Sequence, residues 1–237
     1  MPLSRFRTFS PVFDKILGGG FPRSSLTLFA DSPLGLSWDL ASKIVYDGLK
    51  EGEMGIYLTF DHSPPFIRSL LKSIDIETAE YENSKRFFII NGFRWGEKLE
   101  SYYIKDPSSE GELANAFEAI KNISSVPISD KCRCVVDSSV SLFFVHGIEK
   151  LVSFALLVRE VSAKLGISSI LISPGSIGRR VNNLLGYNSD AVIEFKVIEE
   201  GERLVNKLRV TKMSGQVPSS PWVTYTATGA EFSIQEK

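Results

Sequence analysis

Cysteine and histidine are scarce in this chain, which carries two of each in 237 residues. Cys132 and Cys134 stand two apart in an apolar run, so a strand turns both to one face and leaves them poorly placed for a disulfide. A reduced, intracellular, cytoplasmic setting is the expectation. His62 and His146 belong to no Cys/His set with zinc-site spacing, and no metal is expected. Excess charge of one sign is also lacking: the formal net charge is −1, which supplies no global field for nucleic acid and leaves only a local basic groove open. No basic, apolar, small-residue signal opens the chain, and no apolar run approaches the roughly 20 residues that cross a bilayer, so no membrane association is expected. There is no G-x-S-x-G elbow to support a Ser-His-Asp site built on His62 and Asp137. No internal repeat or low-complexity segment appears.

What is present suits one large α/β domain spanning residues 1–237, since a 43% hydrophobic chain of this length buries a substantial core. Short β-rich runs at Ser25–Ala30, Gly55–Phe60, Arg86–Asn91, Cys132–Asp137 and Ile167–Ser173 alternate with helical ones at Trp38–Lys50, Pro64–Ile74, Glu112–Ser124 and Gly147–Leu165. Runs such as F-F-I-I and S-I-L-I are apolar on both faces. That predicts a mostly parallel central sheet with helices on both sides. After Asp190 the runs Ala191–Ile198, Leu204–Met213, Trp222–Thr228 and Glu231–Gln235 follow one another through turn-forming links, predicting an antiparallel β extension. Lys105–Gly111 reads as a surface loop. The segment from Val152 to Val158 is apolar almost all round and predicts a core helix, with a partner-binding face as the alternative. Phe87, Phe88, Phe143, Phe144 and Phe154 lie in apolar runs and are expected in the core, whereas Trp95 and Trp222 suit either an interface or a loop anchor.

Between Leu28 and Ala41 the chain reads L-F-A-D-S-P-L-G-L-S-W-D-L-A. A working phosphate loop, G-x-x-x-x-G-K-[ST], needs bare glycine amides, a lysine and a magnesium-binding hydroxyl. On that frame the key places hold Asp31, Leu36, Ser37 and Trp38. A carboxylate, an added Cβ, an uncharged hydroxyl and an indole all oppose a polyphosphate. Taken alone, the window reads as a strand followed by a helix that happens to contain Pro and Gly, since short motif matches arise readily by chance.

Its neighbours carry a resemblance. Phe13-Asp14-Lys15-Ile16-Leu17-Gly18-Gly19-Gly20-Phe21-Pro22-Arg23, followed by Ser25-Leu26-Thr27-Leu28, resembles the opening of KaiC-type and archaeal RadA-paralogue ATPases of the RecA superfamily. Gly55 to Pro64 is similar to the family strand ending F-E-E-S-P, whose carboxylate polarises the attacking water; Asp61 keeps an acid there and His62 replaces the second. Ser63 before Pro64 also suits a helix N-cap. Cys132 to Ser139 resembles the Walker B strand, placing Asp137 at the magnesium-shell position, but with Trp38 at the metal-ligand hydroxyl position a structural hydrogen-bonding role is the expectation for it. Leu208 to Gly215 resembles the K-M-R-G strand end that reaches a neighbour's γ-phosphate; Lys212 survives and Ser214 stands for the arginine. On an edge-like strand Lys212 also suits solvation or protection against strand pairing. Ser173 to Asn183 occupies the place of a DNA-contacting loop, with Arg179 and Arg180 as phosphate candidates and Leu184-Leu185 suggesting a short helix packed back on the body.

The resemblance runs in order from Phe13 to Ile234 and implies a RecA-like three-layer fold. It also implies, through the coincident departures, a non-catalytic pseudo-ATPase with no cofactor, Asp61, Asp137 and Lys212 being remnants. Such a protein works through a protein partner or its own oligomer, the partner being a recombinase or an active KaiC-like ATPase, in recombination or signalling. Two alternatives stand beside it: a residual ATPase using ATP and magnesium, and a nucleotide-independent single-stranded DNA-binding accessory.

Overall fold

A computed structural model describes residues 4–32, 35–92, 131–137, 140–216, 221–228 and 231–235, with isolated positions at 115, 122, 124, 125 and 127. The expected helix at Glu112–Ser124 lies almost wholly outside the described residues, and the loop Lys105–Gly111 and Trp95 lie outside them.

Six strands of the sheet are parallel, the first five being β3 (Leu26–Asp31), β4 (Met54–Thr59), β5 (Phe87–Asn91), β6 (Cys132–Asp137) and β7 (Ile167–Pro174). β8 (Ala191–Glu200) runs parallel to β3, and β9 (Arg203–Met213), β10 (Val223–Thr228) and β11 (Glu231–Ile234) then continue antiparallel. Among the described residues the nine-stranded order is β11-β10-β9-β8-β3-β7-β6-β4-β5. A small antiparallel pair, β1 (Arg5–Phe6) and β2 (Phe21–Pro22), precedes it.

Period-two alternation sends the side chains of the sheet to two cores. Leu26, Leu28, Ile56, Leu58, Cys134 and Val136 face the side covered by α5 (Val140–Leu165) and α6 (Arg179–Asn188). Phe29, Tyr57, Val135, Ile170 and Ile172 face the side where α1 (Pro11–Ile16), α2 (Ser37–Lys50) and α3 (Pro64–Ser73) supply Phe13, Leu40, Ile44 and Ile67. A short α4 (Ala79–Asn83) leads into β5. The glycine turn before β3 is dictated by backbone geometry. Gly18, Gly19 and Gly20 have φ of 67°, 110° and 111°, and a Cβ on Gly20 would overlap the Phe6 carbonyl.

Four expectations need correction. α5 begins at Val140, and Gly147 (φ 80°, ψ 176°) breaks it. By length and composition alone α5 is able to span a membrane, with a mean hydropathy of 1.7, because the break joins two apolar runs. Its residues Leu151, Phe154, Ala155, Val158 and Val161 nevertheless pack into the core, leaving Leu156 38% exposed, so the helix lies on the sheet and is not buried all round. Phe144 is 69% exposed, since the turn preceding Gly147 carries it off the core, although Phe87, Phe88 and Phe154 are buried as expected. Finally, β9 lies inside the sheet between β8 and β10, so Lys212 is not on a sheet edge strand. Trp222 is an anchor: Lys196 Nζ stands 3.9 Å and Arg209 Cζ 4.5 Å from its ring.

Candidate functional site

Parallel strands β3, β6 and β4 end together at one edge of the sheet, where open α/β folds place their sites. β3 closes with Asp31, whose side chain turns back over the segment leading into α2. Its Oδ1 accepts the Ser32 amide at 2.7 Å and its Oδ2 accepts the Ser37 amide at 3.1 Å. Gly35 donates its amide to the Ser32 carbonyl at 3.0 Å, and Leu36 donates its own to Tyr225 Oη at 3.3 Å. These four amides are therefore all engaged within the chain. Leu36, the N-cap residue of α2, offers no side-chain cap. Asp31 supplies that function from six residues upstream, with its negative charge at the positive end of the helix dipole. A Cβ on Gly35 would overlap Asp31 Oδ1, so only glycine lets the loop close over the carboxylate. The Ser37 hydroxyl is buried against the same carboxylate without completing a hydrogen bond. Burial raises the Asp31 pKa, outweighing the opposing hydrogen bonds from Ser37 and Ser32.

Trp38, the next residue, is half-buried, and its indole leans on the core at 6.2 Å and 60° from the Tyr57 ring. Trp38 Nε1, Ser42 Oγ and Tyr57 Oη converge under α2, yet none of the three completes a hydrogen bond. Burial pushes the Tyr57 phenol well up, with Asp137 adding to the shift.

Asp137 ends β6 at 1% exposure. Its Oδ2 lies 3.0 Å from Thr59 Oγ1 and 3.0 Å from His62 Nδ1. Burial raises the Asp137 pKa against the lowering effect of His62, while the hydrogen bond to Asp137 raises that of His62. Asp61 Oδ1 accepts the Ser141 amide at 2.9 Å and so ties down the first turn of α5. Ser63 holds the N-cap position of α3 before Pro64, but its hydroxyl makes no cap bond. Only half of the capping expectation therefore stands. The His62 ring instead stacks on Phe66, with centroids 4.9 Å apart.

Lys212 does not join these groups. It pairs with Val192, which pairs in turn with Leu28, so it sits toward the strand-starting side of the sheet, away from Asp31. Its Nζ donates to the carbonyls of Gly186 at 3.1 Å and Tyr187 at 2.8 Å in the last turn of α6, the first of which also accepts the Ser189 amide at 3.3 Å. Burial lowers its pKa. Ser214 Oγ donates to the Asp190 carbonyl at 2.8 Å. Arg179 and Arg180 open α6 and, with Asn183, Leu184 and Tyr187, line an open groove. The short helix expected around Leu184-Leu185 is α6, and Leu185 is fully buried.

Tyr225, Thr59 and Tyr187 belong to these arrangements but escape a reading of the sequence. Tyr225 lies in an ordinary Y-T-A-T strand run, and only the extension of the sheet beyond β8, with Tyr225 on the face covered by α2, brings its hydroxyl to Leu36.

A family model described as a KaiC ATPase matches residues 6–236 of this chain. A UPF0273 protein of Aeropyrum pernix is 29% identical over 90% of this chain and 86% of its own length. Another, of Sulfurisphaera tokodaii, is 30% identical over 76% of this chain and 63% of its own. The crystal structure of a KaiC-like protein from Pyrococcus horikoshii OT3 shares the fold with a TM-score of 0.80, at 18% identity, covering 99% of this chain and all of that one. With its glycine turn, its parallel strand ends at one edge and a family match across almost its whole length, the chain belongs to the KaiC-like family of the RecA superfamily.

Proposed function

We propose that this chain is a non-catalytic pseudo-ATPase that keeps the KaiC-like body and acts through a protein partner. The observation that carries the reading is the Asp31 carboxylate bound to the Ser32 and Ser37 amides, where a phosphate would need those donors. The residues present fit ATP and magnesium poorly. Ser37 brings no positive charge, Trp38 brings no metal-ligand oxygen, and Asp31 and Asp39 add like charge to any incoming polyphosphate. The remnant acids and base have other work: Asp137 holds Thr59 and His62, Asp61 holds α5, and Lys212 holds α6. By family likeness the partner is an active ATPase of the same superfamily, either a recombinase or a KaiC-like protein. The test is calorimetric titration of the intact protein with ATP and magnesium. No saturable heat is expected, and micromolar binding that persists at physiological salt overturns the reading.

A second reading, single-stranded nucleic-acid binding in cytoplasmic recombination, has one observation in its favour. Tyr187 is 83% exposed beside Arg179, Arg180 and Asn183 in the open groove, a combination of base-stacking face and phosphate donors.

A further inference from the structure

We infer that Asp31 is a built-in anion that permanently occupies the cradle formed by the Ser32 and Ser37 amides at the start of α2, the place that a bound phosphate would otherwise take. The latch presupposes the pseudo-ATPase reading and extends it: the loop has kept an anion site, and the chain fills that site itself.

Four observations converge on this assignment. First, the donors are those of an anion cradle. The Ser32 and Ser37 amides both point at one carboxylate, the second of them on the opening residue of a 14-residue helix. Second, Ser37 is 1% exposed and its hydroxyl lies unpaired against the same carboxylate, a further polar group aimed at the anion position. Third, Gly35 is packed so closely on Asp31 Oδ1 that any side chain there would expel the carboxylate. Fourth, Tyr225 from β10 holds the Leu36 amide, so the loop is braced from the far end of the chain as well as from within. A merely repelled or collapsed loop requires none of this. A carboxylate shares with a phosphate the negative charge and the oxygen acceptors that helix N-termini select. Occupancy of the cradle is thereby uncoupled from nucleotide concentration.

The test is anion rescue. Thermal unfolding of the wild type, Asp31→Ala and Asp31→Asn is followed in inorganic phosphate and in sodium chloride at matched ionic strength. Asp31→Ala strands two donors and is expected to melt about 4–8 °C below the wild type in chloride. Phosphate is then expected to restore about 3 °C or more beyond its effect on the wild type, because the vacated cradle binds the added anion. Asp31→Asn keeps one acceptor and still fills the space, so it should lose less and gain nothing specific from phosphate. Asp31→Ala that melts like the wild type, or gains no more from phosphate than the wild type does, overturns the latch. If Asp31→Ala stays unfolded in both salts, Asp31→Asn decides, and a wild-type midpoint in that variant overturns the latch. ATP binding by the wild type would sink the pseudo-ATPase reading, whereas wild-type behaviour of Asp31→Ala would sink only the latch.

Discussion

His62 shows how one substituted residue acquires a role from its surroundings. Its Nδ1 lies 3.0 Å from buried Asp137 Oδ2, and that bond raises its pKa above the ordinary value of 6.5. A histidine whose pKa is higher folded than unfolded binds its proton more tightly in the folded state. Its contribution is therefore fully present below about pH 6.5 and is lost as pH rises through the raised value. Chemical denaturation of the wild type and His62→Gln should differ more at pH 6 than at pH 8; an equal difference at both would remove the Asp137 contact as the cause. Partial exposure of the imidazole keeps the effect small. In the sequence, His62 and Asp137 stood 75 positions apart with no motif joining them. Their contact arises because β4 and β6 are neighbours in register, Thr59 beside Asp137.

At the scale of elements, strand β6 carries the least expected group of the fold. Arg133 lies in an otherwise apolar run, yet it is 1% exposed, with Nε 2.6 Å from Glu53, Nη2 3.0 Å from Glu51 and Nη1 donating to the Ile44 carbonyl at 2.8 Å. Its guanidinium also covers the Phe6 ring at 4.4 Å. Gly48 makes room, since a Cβ there would come 2.7 Å from Arg133 Nε. The cluster ties β6, α2 and the segment before β4 together at the edge opposite Asp31. Among the described residues, Arg133→Met leaves buried Glu53 with Arg23 as its remaining ion-pair partner, and equilibrium urea unfolding should show a loss of about 3 kcal/mol. Adding Glu53→Gln should recover part of that loss. The strand itself was legible from C-V-V and its terminal Asp, whereas Arg133 was not. A buried arginine is defined by partners that come from other elements. Lys212 gives the same lesson: its strand was predicted within one residue at its start, but its task of holding the α6 carbonyls depends on a helix packed beside β8 and β9.

For the whole molecule, a net charge of −1 means that any nucleic-acid affinity must come from a local field and not from a global one. The groove on α6 is the place to look. If it binds a single strand, affinity should fall as salt rises, and Arg179→Ala/Arg180→Ala should reduce the slope of log affinity against log salt by about 1.4, the value for two single-strand phosphate contacts. Fluorescence anisotropy with a labelled oligonucleotide reads this directly. An unchanged slope in the double variant would remove the groove from consideration. The exposed Phe144 and Val145 before the Gly147 break give the same molecule an apolar surface that aromatic-rich protein interfaces favour.

The sequence by itself determined the order of strands and helices, the parallel core and the antiparallel extension. Hydrophobic period, turn residues and glycine runs are local properties, and they survive in the strands of the fold with boundaries moved by a residue or two, whereas the start of α5 moved from Gly147 to Val140. It also determined which side chains stand at the loop, from Asp31 to Trp38. Only the tertiary structure decided what they do. Whether the Asp31 carboxylate repels an anion or replaces one depends on where two amides and a glycine come to rest around it. That arrangement is closed by Tyr225, 189 residues away in the chain, because hydrogen bonds form between groups that folding brings within 3.3 Å, whatever their distance in sequence.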